Sequence, residues 1–263
     1  MKKFLKNIFN FLKINIHRSF FSEITWSRKN YKTWNEAAKK SKGYGDPEIV
    51  NRVYEAAIKV FNGEASYERD GAVFKKKEFS HEILSSFLYY LGNKKNLKVA
   101  DIGGSLGSMY FQYKDILEKK TDKFTWEIYE QENFVKVGNE KLTQKNLMFR
   151  ELKNLPNDGN YDISLFGSVL NYLENYDRVF KKFCEISNCI IVDRTSFTVE
   201  KILKIQNIKN FPYTSSYPHI TFPKRELIDI LEQNNFKVIF EWSSISIVSA
   251  PFNFEGFMAI KND

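Results

Sequence analysis

The amino-acid sequence predicts an α/β protein: a mostly parallel, seven-stranded sheet covered by helices, with a helical extension before it. Three observations predict this fold. Short runs rich in β-branched and aromatic residues alternate with amphipathic segments from residue 97 onward. The first run leads directly into a glycine-rich turn, residues 103–107, which a helical segment follows. The last two runs, 236–242 and 256–260, lie too close together for a crossover helix, so they form a closing hairpin.

The composition suits one large α/β domain, or a domain with an appended subdomain. The chain has 263 residues, of which 43% are hydrophobic, enough for a sizeable core. No apolar run approaches the ~18–20 residues of a membrane-spanning helix. Cys184 and Cys189 cannot form a disulfide framework, and no CxxC pair indicates zinc. We therefore expect a cytoplasmic protein in a reducing compartment.

The net charge of +8 allows two interpretations. Most of the basic residues are lysines, and the chain is also rich in asparagine, isoleucine and phenylalanine, as an AT-rich genome would produce. Much of the charge would then lie on a solvated surface. The alternative is an anionic partner, such as a phosphorylated substrate, a membrane surface or nucleic acid.

The first 21 residues predict a basic amphipathic helix. Phe4, Ile8, Leu12 and Ile16 share one face, and the lysines fall largely on the other. Lysines interrupt the apolar region and no small-x-small cleavage site follows, which argues against a signal peptide. Such a helix either makes a peripheral contact with the inner face of a membrane through residues 1–21 or packs on its own domain.

The extension is predicted to be mostly helical over residues 30–95. Asp46 can cap a helix over 47–61 that has a proline at its first position. A further helix is predicted at about 80–91, and His81 is expected to be exposed in its first turn.

A polar stretch interrupts this extension at residues 63–71. It is dense in Tyr, Glu, Arg and Asp, which suits either a salt-bridged surface turn or a lid over a site. We divide the chain into an extension and lid at 1–95 and a cofactor-binding domain at 96–263.

The elements of the second domain alternate as a doubly wound, Rossmann-like fold requires. The segment from about 196 to 222 is predicted to be a long loop. Strands are predicted at 97–102, 124–130, 146–150, 161–166, 189–193, 236–242 and 256–260, and helices at 108–120, 132–142, 177–186 and 223–234.

The residues around the glycine-rich turn favour one ligand. Asp101 ends the first strand just before the glycines, and a carboxylate there would repel the pyrophosphate of a dinucleotide. It suits a ligand with a cationic amino-acid head and no phosphate, and S-adenosylmethionine (SAM) is such a ligand. Glu130 ends the second strand, where a carboxylate can bond both ribose hydroxyls.

Ligands of open α/β sheets bind outside the carboxyl ends of the strands. Asp101 would bond the methionyl amine, Glu130 the ribose, and Gln131 would flank the adenine. The predicted cofactor-binding residues are therefore Asp101, Gly103, Gly104, Gly107, Glu130, Gln131, Gly167 and Ser168.

Acceptor groups are expected from the loops after the fourth and fifth strands and from the lid. Methyl transfer from a sulfonium mainly needs positioning, but a hydroxyl acceptor benefits from a general base. His219 is the first candidate and Asp193 the second; the alternatives are a histidine in an ordered surface loop and a structural pair with Arg194. The candidate acceptor-binding residues are Tyr67, Arg69, Asn171, Tyr172, Arg194, Tyr213 and Tyr217.

No metal is expected to take part in this reaction. The three histidines, His17, His81 and His219, lie far apart and lack the spacing of metal ligands.

From Trp34 to the C-terminus the chain resembles an uncharacterised family of class I SAM-dependent methyltransferases encoded among bacterial surface-polysaccharide genes. The Gly-Gly-Ser-Leu-Gly-Ser string and the upstream Glu-Arg-Asp are its most specific features. The strings that carry the resemblance are Trp34-Asn-Glu-Ala, Gly43-Tyr-Gly, Tyr67-Glu-Arg-Asp, Asp101-Ile-Gly-Gly-Ser-Leu-Gly-Ser108, Tyr129-Glu-Gln131, Asp193-Arg-Thr, Tyr217-Pro218 and Gly256-Phe257.

This resemblance implies the seven-stranded class I methyltransferase sheet and SAM as cofactor. Some members of the family sit in capsule loci that add O-methyl phosphoramidate. The implied acceptor is a capsular or O-antigen sugar, its phosphoramidate substituent or a nucleotide-linked precursor. A phosphoramidate oxygen is already anionic and needs no base, so Arg69 and Arg194 would hold it.

Three other classes of protein remain as alternatives. A nucleic-acid methyltransferase usually carries an Asp/Asn-Pro-Pro-aromatic string after the fourth strand, where this chain has Phe166-Gly-Ser-Val. The sequence also lacks an arginine-rich patch, so no nucleic-acid partner is expected. A Rossmann oxidoreductase is disfavoured by Asp101 and the closing hairpin. A catalytically inactive binding protein with the same fold would bind SAM without turning it over.

Overall fold

The computed structural model describes residues 23–77, 79–210, 213–244 and 253–262. The predicted amphipathic helix at 1–21, and the membrane contact expected of it, lie outside the described residues. Within the described ranges, no helix is long and apolar enough to cross a bilayer.

Strands make up the centre of the molecule and two smaller sheets. The described strands are β1 (Glu23–Trp26), β2 (Tyr67–Arg69), β3 (Ala72–Phe74), β4 (Asn96–Ile102), β5 (Lys123–Glu130), β6 (Leu147–Glu151), β7 (Tyr161–Gly167), β8 (Ser187–Ser196), β9 (Ile202–Asn210), β10 (Tyr213–Thr221), β11 (Phe236–Ser244) and β12 (Phe254–Lys261).

Helices connect most of these strands. The described helices are α1 (Trp34–Ala38), α2 (Pro47–Phe61), α3 (His81–Leu91), α4 (Ser108–Glu118), α5 (Glu132–Lys141), α6 (Tyr176–Glu185) and α7 (Lys224–Gln233), with a 3-10 turn at Leu170–Tyr172.

The central sheet has seven strands in the order β11-β12-β8-β7-β4-β5-β6. The strands from β8 to β6 pair in parallel, as crossover helices require. β12 is inserted antiparallel between β8 and β11. This order confirms the predicted mostly parallel α/β sheet and its closing hairpin.

Both faces of this sheet are covered because successive side chains of a strand point to opposite sides. On β4, Val99 packs in one hydrophobic cluster with Phe87 and Trp126. The next residue, Ala100, packs in a second cluster with Phe180 on the other face. The core therefore lies in two layers, one on each face of the sheet.

The helix beginnings follow from local capping, as the sequence predicts. The Asp46 carboxylate accepts a hydrogen bond from the Glu48 amide at 2.9 Å, and Pro47 occupies the first helical position of α2. Ser80 caps α3 in the same way, and His81 is exposed in its first turn. These boundaries confirm both predicted helices of the extension.

The predicted long loop at 196–222 is wrong. Its residues form the β9–β10 hairpin, to which β1 adds as an outer strand, with Ile24 opposite Ile208. The extension thus contributes a strand to a sheet built by the later part of the chain. The polar stretch at 63–71, which the sequence left open between a surface turn and a lid, contains β2, and β2 pairs with β3 in a hairpin.

Candidate active site

The glycine-rich turn after β4 is held tightly between its neighbours. Gly103 has a φ of 70° and donates its amide to the Tyr129 carbonyl at 2.8 Å. A Cβ on this residue would lie 2.3 Å from a methyl of Val169. Gly107 closes the turn with a φ of 98° and precedes α4. Only glycine fits the first of these positions, because both the backbone conformation and the space exclude a side chain.

The Asp101 carboxylate lies directly against this turn. A Cβ on Gly104 would be 2.5 Å from its Oδ2 atom, which accepts a hydrogen bond from Trp126 Nε1 at 3.1 Å. The side chain is 1% exposed. Burial raises the pKa of Asp101 to about 7, although the Trp126 hydrogen bond opposes this shift. No described basic side chain pairs with it.

Glu130 provides a second buried carboxylate at the end of the adjacent strand, β5. Its Oε2 accepts a hydrogen bond from the Gln131 amide at 2.5 Å. Burial raises the pKa of Glu130 to about 7, and the negative charge of Glu130 raises the pKa of Asp101 further. The two carboxylates therefore face the same turn with no compensating cation among the described side chains.

A loop of the extension covers this side of the turn. The Tyr44 ring stacks on Phe134 of α5 with centroids 5.1 Å apart; burial raises the pKa of its hydroxyl, and the Ser105 side chain opposes this shift. Asn133 Nδ2 donates to the Gly45 carbonyl at 2.8 Å. Sequence reasoning missed Tyr44 and Asn133 as site residues; the available signal was the Gly43-Tyr-Gly string.

Gln131 lies close to Gly45 of this loop, and its place beside the adenine stays a prediction. It occupies the residue before α5, and a Cβ on Gly45 would lie 2.7 Å from its Oε1 atom. The extension thus approaches the predicted cofactor residues closely.

The β2–β3 hairpin lies on the acceptor side of the turn. Its two-residue connection, Asp70 and Gly71, has φ values of 52° and 76°, which suits a tight hairpin. The negative charge of Asp70 raises the pKa of Tyr172 and of Tyr217, which belong to other elements. The choice between a lid and a surface turn for this stretch stays a prediction.

Arg194 lies at an irregularity of β8 on the same side. The register between β8 and β12 shifts between Glu255 and Phe257, and Arg194 adopts a φ of 49° there. Its positive charge lowers the pKa of Tyr67 and of Tyr172, although burial raises both overall. The guanidinium therefore lies near the candidate acceptor side chains.

Asp193 is held by several neighbours at the end of β8. Its Oδ1 accepts hydrogen bonds from Trp242 Nε1 at 2.9 Å and from Ser244 Oγ at 2.8 Å. Its Oδ2 lies 3.3 Å from Arg194 Nε. These contacts supply the structural pair with Arg194 that the sequence left open, and the role of Asp193 as a base stays a prediction.

Replacing Asp193 separates these two roles. We expect Asp193→Ala to lower the free energy of unfolding by about 2–3 kcal/mol, because Trp242 and Ser244 lose a buried acceptor. Thermal unfolding measures this loss. Asp193→Asn keeps an acceptor oxygen and should be closer to wild type. Wild-type stability of the alanine variant would contradict the structural role.

His219 lies on β10 rather than in a surface loop, and it is 1% exposed. Its ring meets Trp26 edge-on at 4.7 Å and Tyr172 at 5.1 Å. Burial lowers the pKa of His219 to about 3, so its imidazole is neutral at pH 7 and holds a transferred proton weakly. The expectation of a loop histidine is wrong; catalysis by His219 stays a prediction.

The other candidate acceptor residues differ in their surroundings. The Tyr172 hydroxyl donates to Gln206 at 2.8 Å, and its ring meets Tyr217 edge-on at 5.9 Å. Asn171 donates to two backbone carbonyls and accepts the Ser196 amide at 2.7 Å, which ties β8 to β10. The structure brings the two tyrosines together, whereas the Asn171 side chain forms hydrogen bonds with backbone groups.

The remaining predicted residues occupy the strand ends or the hairpin. Arg69 lies over the Phe74 ring at 5.8 Å, and the buried Tyr67 packs on the same ring at 5.6 Å. Ser168, with a φ of 63°, donates its amide to the Asp193 carbonyl at 2.9 Å. A Cβ on Gly167 would lie 2.6 Å from Met109. The side chain of Tyr213 is outside the described residues.

The strand order, the inserted antiparallel strand and the glycine-rich turn define a class I methyltransferase fold. No protein-family model and no curated protein sequence matches this chain. Solved structures do. A SAM-dependent methyltransferase from Clostridium acetobutylicum ATCC 824 is 10% identical with a TM-score of 0.52, over 81% of this chain and 99% of that one.

Two further solved structures share this fold. An amino pentose methyltransferase from Micromonospora echinaspora, with SAM bound, is 8% identical with a TM-score of 0.51, over 80% of this chain and 97% of that one. Magnesium protoporphyrin IX methyltransferase from Synechocystis PCC 6803, with SAH bound, is 15% identical with a TM-score of 0.50, over 83% and 97%. At these identities the similarity establishes the fold.

Proposed function

We propose that this chain is a SAM-dependent methyltransferase that methylates an oxygen of a small acceptor. The observation that carries the proposal is the tight glycine-rich turn faced by two buried carboxylates, Asp101 and Glu130, that lack a cationic partner among the described residues. A ligand with a cationic head and ribose hydroxyls fits these two hydrogen-bond acceptors. The solved neighbours with bound SAM or its product S-adenosylhomocysteine (SAH) support the same choice.

Each predicted cofactor residue has a chemical role in this proposal. Asp101 would hold the methionyl ammonium, Glu130 would accept hydrogen bonds from the ribose, and Gln131 would flank the adenine. When bound, SAM supplies a methyl group on an already activated sulfonium. The chain therefore mainly has to orient the acceptor and exclude water.

The acceptor side suits a hydroxylated or anionic molecule. Burial raises the pKa of Tyr67 to about 12, so its phenol keeps its proton at neutral pH and can donate a hydrogen bond. The Tyr172 and Tyr217 phenols also keep their protons, that of Tyr172 being donated to Gln206, and Arg194 adds one positive charge nearby. This mixture supports a sugar hydroxyl or a phosphoramidate oxygen as the methylated group.

The biological setting follows from the resemblance and belongs to the proposal. We place the acceptor in capsular or surface-polysaccharide synthesis, as a sugar, its phosphoramidate substituent or a nucleotide-linked precursor. The reaction would be cytoplasmic and metal-independent, with the extension up to residue 95 acting as the lid and residues 1–21 contacting the membrane. No nucleic-acid partner is proposed.

Titration calorimetry with SAM tests the cofactor. We expect wild-type protein to bind SAM and Glu130→Gln to bind it about tenfold more weakly, because a hydrogen bond to a charged group contributes about 1.5–3 kcal/mol. Glu132→Gln is a matched control, since Glu132 is exposed and pairs with Lys153 at 2.8 Å. No binding at millimolar SAM would overturn the proposal.

Turnover tests the reaction itself. Release of SAH would be measured against nucleotide-linked sugars, glycan fragments and phosphoramidates. SAH formation with one of these classes is expected. SAM binding with no turnover on any of them would instead favour an inactive binding protein.

A further inference from the structure

Glu68 is a buried carboxylate that the predicted site does not use. It lies on β2, in the hairpin on the acceptor side, and is 1% exposed. One of its oxygens accepts a hydrogen bond from Ser108 Oγ, and the other accepts the Gly71 amide at 3.3 Å. Ser108 directly follows Gly107 and is the first residue of α4. The carboxylate thus joins the hairpin to the end of the glycine-rich turn.

The surroundings of Glu68 leave its charge largely uncompensated. Burial raises the pKa of Glu68 to about 7, and the nearby negative charge of Asp70 raises it further. Arg69 opposes this only weakly, since its guanidinium lies over the Phe74 ring. No ion pair to Glu68 exists among the described side chains. A buried carboxylate without a cation is costly, and a positively charged ligand nearby would relieve that cost.

The two buried carboxylates at the glycine-rich turn, Asp101 and Glu130, would face parts of the cofactor that do not change in the reaction. In the proposed function, Asp101 holds the amino-acid head and Glu130 the ribose, and both groups are common to SAM and SAH. The two molecules differ at the sulfur, which carries a positive charge only in SAM. A negative charge close to the sulfur would therefore discriminate between them.

We propose that Glu68 is a specificity-determining residue of the cofactor site, which favours the cationic SAM over the uncharged sulfur of SAH. This inference rests on the proposed function. The attraction acts on the reactant and is lost once the methyl group has left, so the same carboxylate would favour exchange of product for fresh cofactor. Ser108 and the Gly71 amide fix the carboxylate in place for this role.

Titration calorimetry with SAM, SAH and sinefungin tests this inference without an acceptor. Sinefungin carries an amine in place of the sulfonium methyl group, so it keeps the positive charge. We expect Glu68→Gln to weaken the binding of SAM and of sinefungin about tenfold and the binding of SAH less than about threefold. This is the pattern that loss of one partly buried charge pair predicts. Ser108→Ala removes one of the two anchors but keeps the charge, so the preference for SAM over SAH should fall less than in Glu68→Gln.

The controls separate this inference from the proposed function. Glu64→Gln, at an exposed residue whose carboxylate accepts from Asn62 at 3.2 Å, should match wild type. Glu68→Gln should fold, because a pKa near 7 means that the neutral side chain is already populated in the free protein; Glu68→Met provides a second neutral variant.

Three results are decisive. The inference is supported if both neutral variants lose affinity for SAM and sinefungin but keep their affinity for SAH. Equal weakening of all three ligands, or no weakening, overturns it and leaves SAM binding by the wild type intact. Failure of wild-type protein to bind SAM would instead overturn the proposed function.

Discussion

Gly103→Ala is expected to lower the melting temperature by about 5–15 °C, which corresponds to a loss of about 2–5 kcal/mol. Two costs add. An alanine at a φ of 70° adopts a left-handed backbone that costs about 1–2 kcal/mol. Its Cβ would also lie 2.3 Å from the Val169 methyl, so the turn or the 3-10 segment must move. Because Asp101 lies against the same turn, SAM binding should be lost as well. Thermal unfolding and calorimetry measure the two effects.

Gly63→Ala is the matched control for this prediction. Gly63 has a φ of 78°, but nothing lies within 4 Å of a Cβ placed there. The variant therefore carries the backbone cost without the collision and should lose only about 1 kcal/mol, with SAM binding unchanged. If both variants lost the same stability, the close approach of Val169 to the turn would be refuted.

The central sheet could be predicted because its pattern is local. β4 and β5 are continuous buried runs, and the capping pair Asp46 and Pro47 marks α2 directly. β9 was missed because its pattern is broken: Gln206 is buried where an apolar residue is expected. It lies there because the Tyr172 hydroxyl donates to it, a contact across the fold that periodicity does not reveal.

The same distinction applies to the candidate site. Asp101 and Glu130 were found because each ends a strand, and parallel strand ends meet at one edge. Tyr44 and Glu68 come from the extension, and their places depend on how the loop docks on α5 and how the hairpin docks on α4. Sequence spacing carries no information on that docking. A surface position was considered for His219 because the segment that contains it was predicted to be a loop.

Asp101→Asn is expected to weaken SAM binding about 10- to 100-fold, because a charge-assisted hydrogen bond to an ammonium contributes about 1.5–3 kcal/mol. Calorimetry with SAM measures this loss. Asp115→Asn is the control: it changes the net charge equally, but Asp115 is exposed and pairs with Lys77 at 2.6 Å. A wild-type affinity in Asp101→Asn would remove Asp101 from the cofactor site.

The pH dependence of binding gives a second readout for Asp101. The pKa of Asp101 is raised from 3.8 to about 7 in the free protein, so the carboxyl is partly protonated near pH 6.5. A cationic ligand favours the ionised form and lowers this pKa, so binding releases protons and affinity rises with pH up to about 7. Calorimetry in buffers of different ionisation enthalpy counts these protons. Asp101→Asn should release fewer, and proton uptake by the wild type would contradict the assignment.

The raised pKa of Asp101 also determines how the stability of the ligand-free protein changes with pH. Between 3.8 and about 7 the folded protein binds more protons at Asp101 than the unfolded chain does, so this residue's contribution to stability falls as pH rises through that window. Asp101→Asn removes the contribution. The variant should therefore gain stability relative to wild type between pH 4 and pH 8, even as it loses affinity for SAM. Thermal unfolding across this pH range, compared with calorimetry, tests whether stability and SAM affinity change in opposite directions. Such a result would mean that the Asp101 carboxylate destabilises the fold and stabilises the bound ligand.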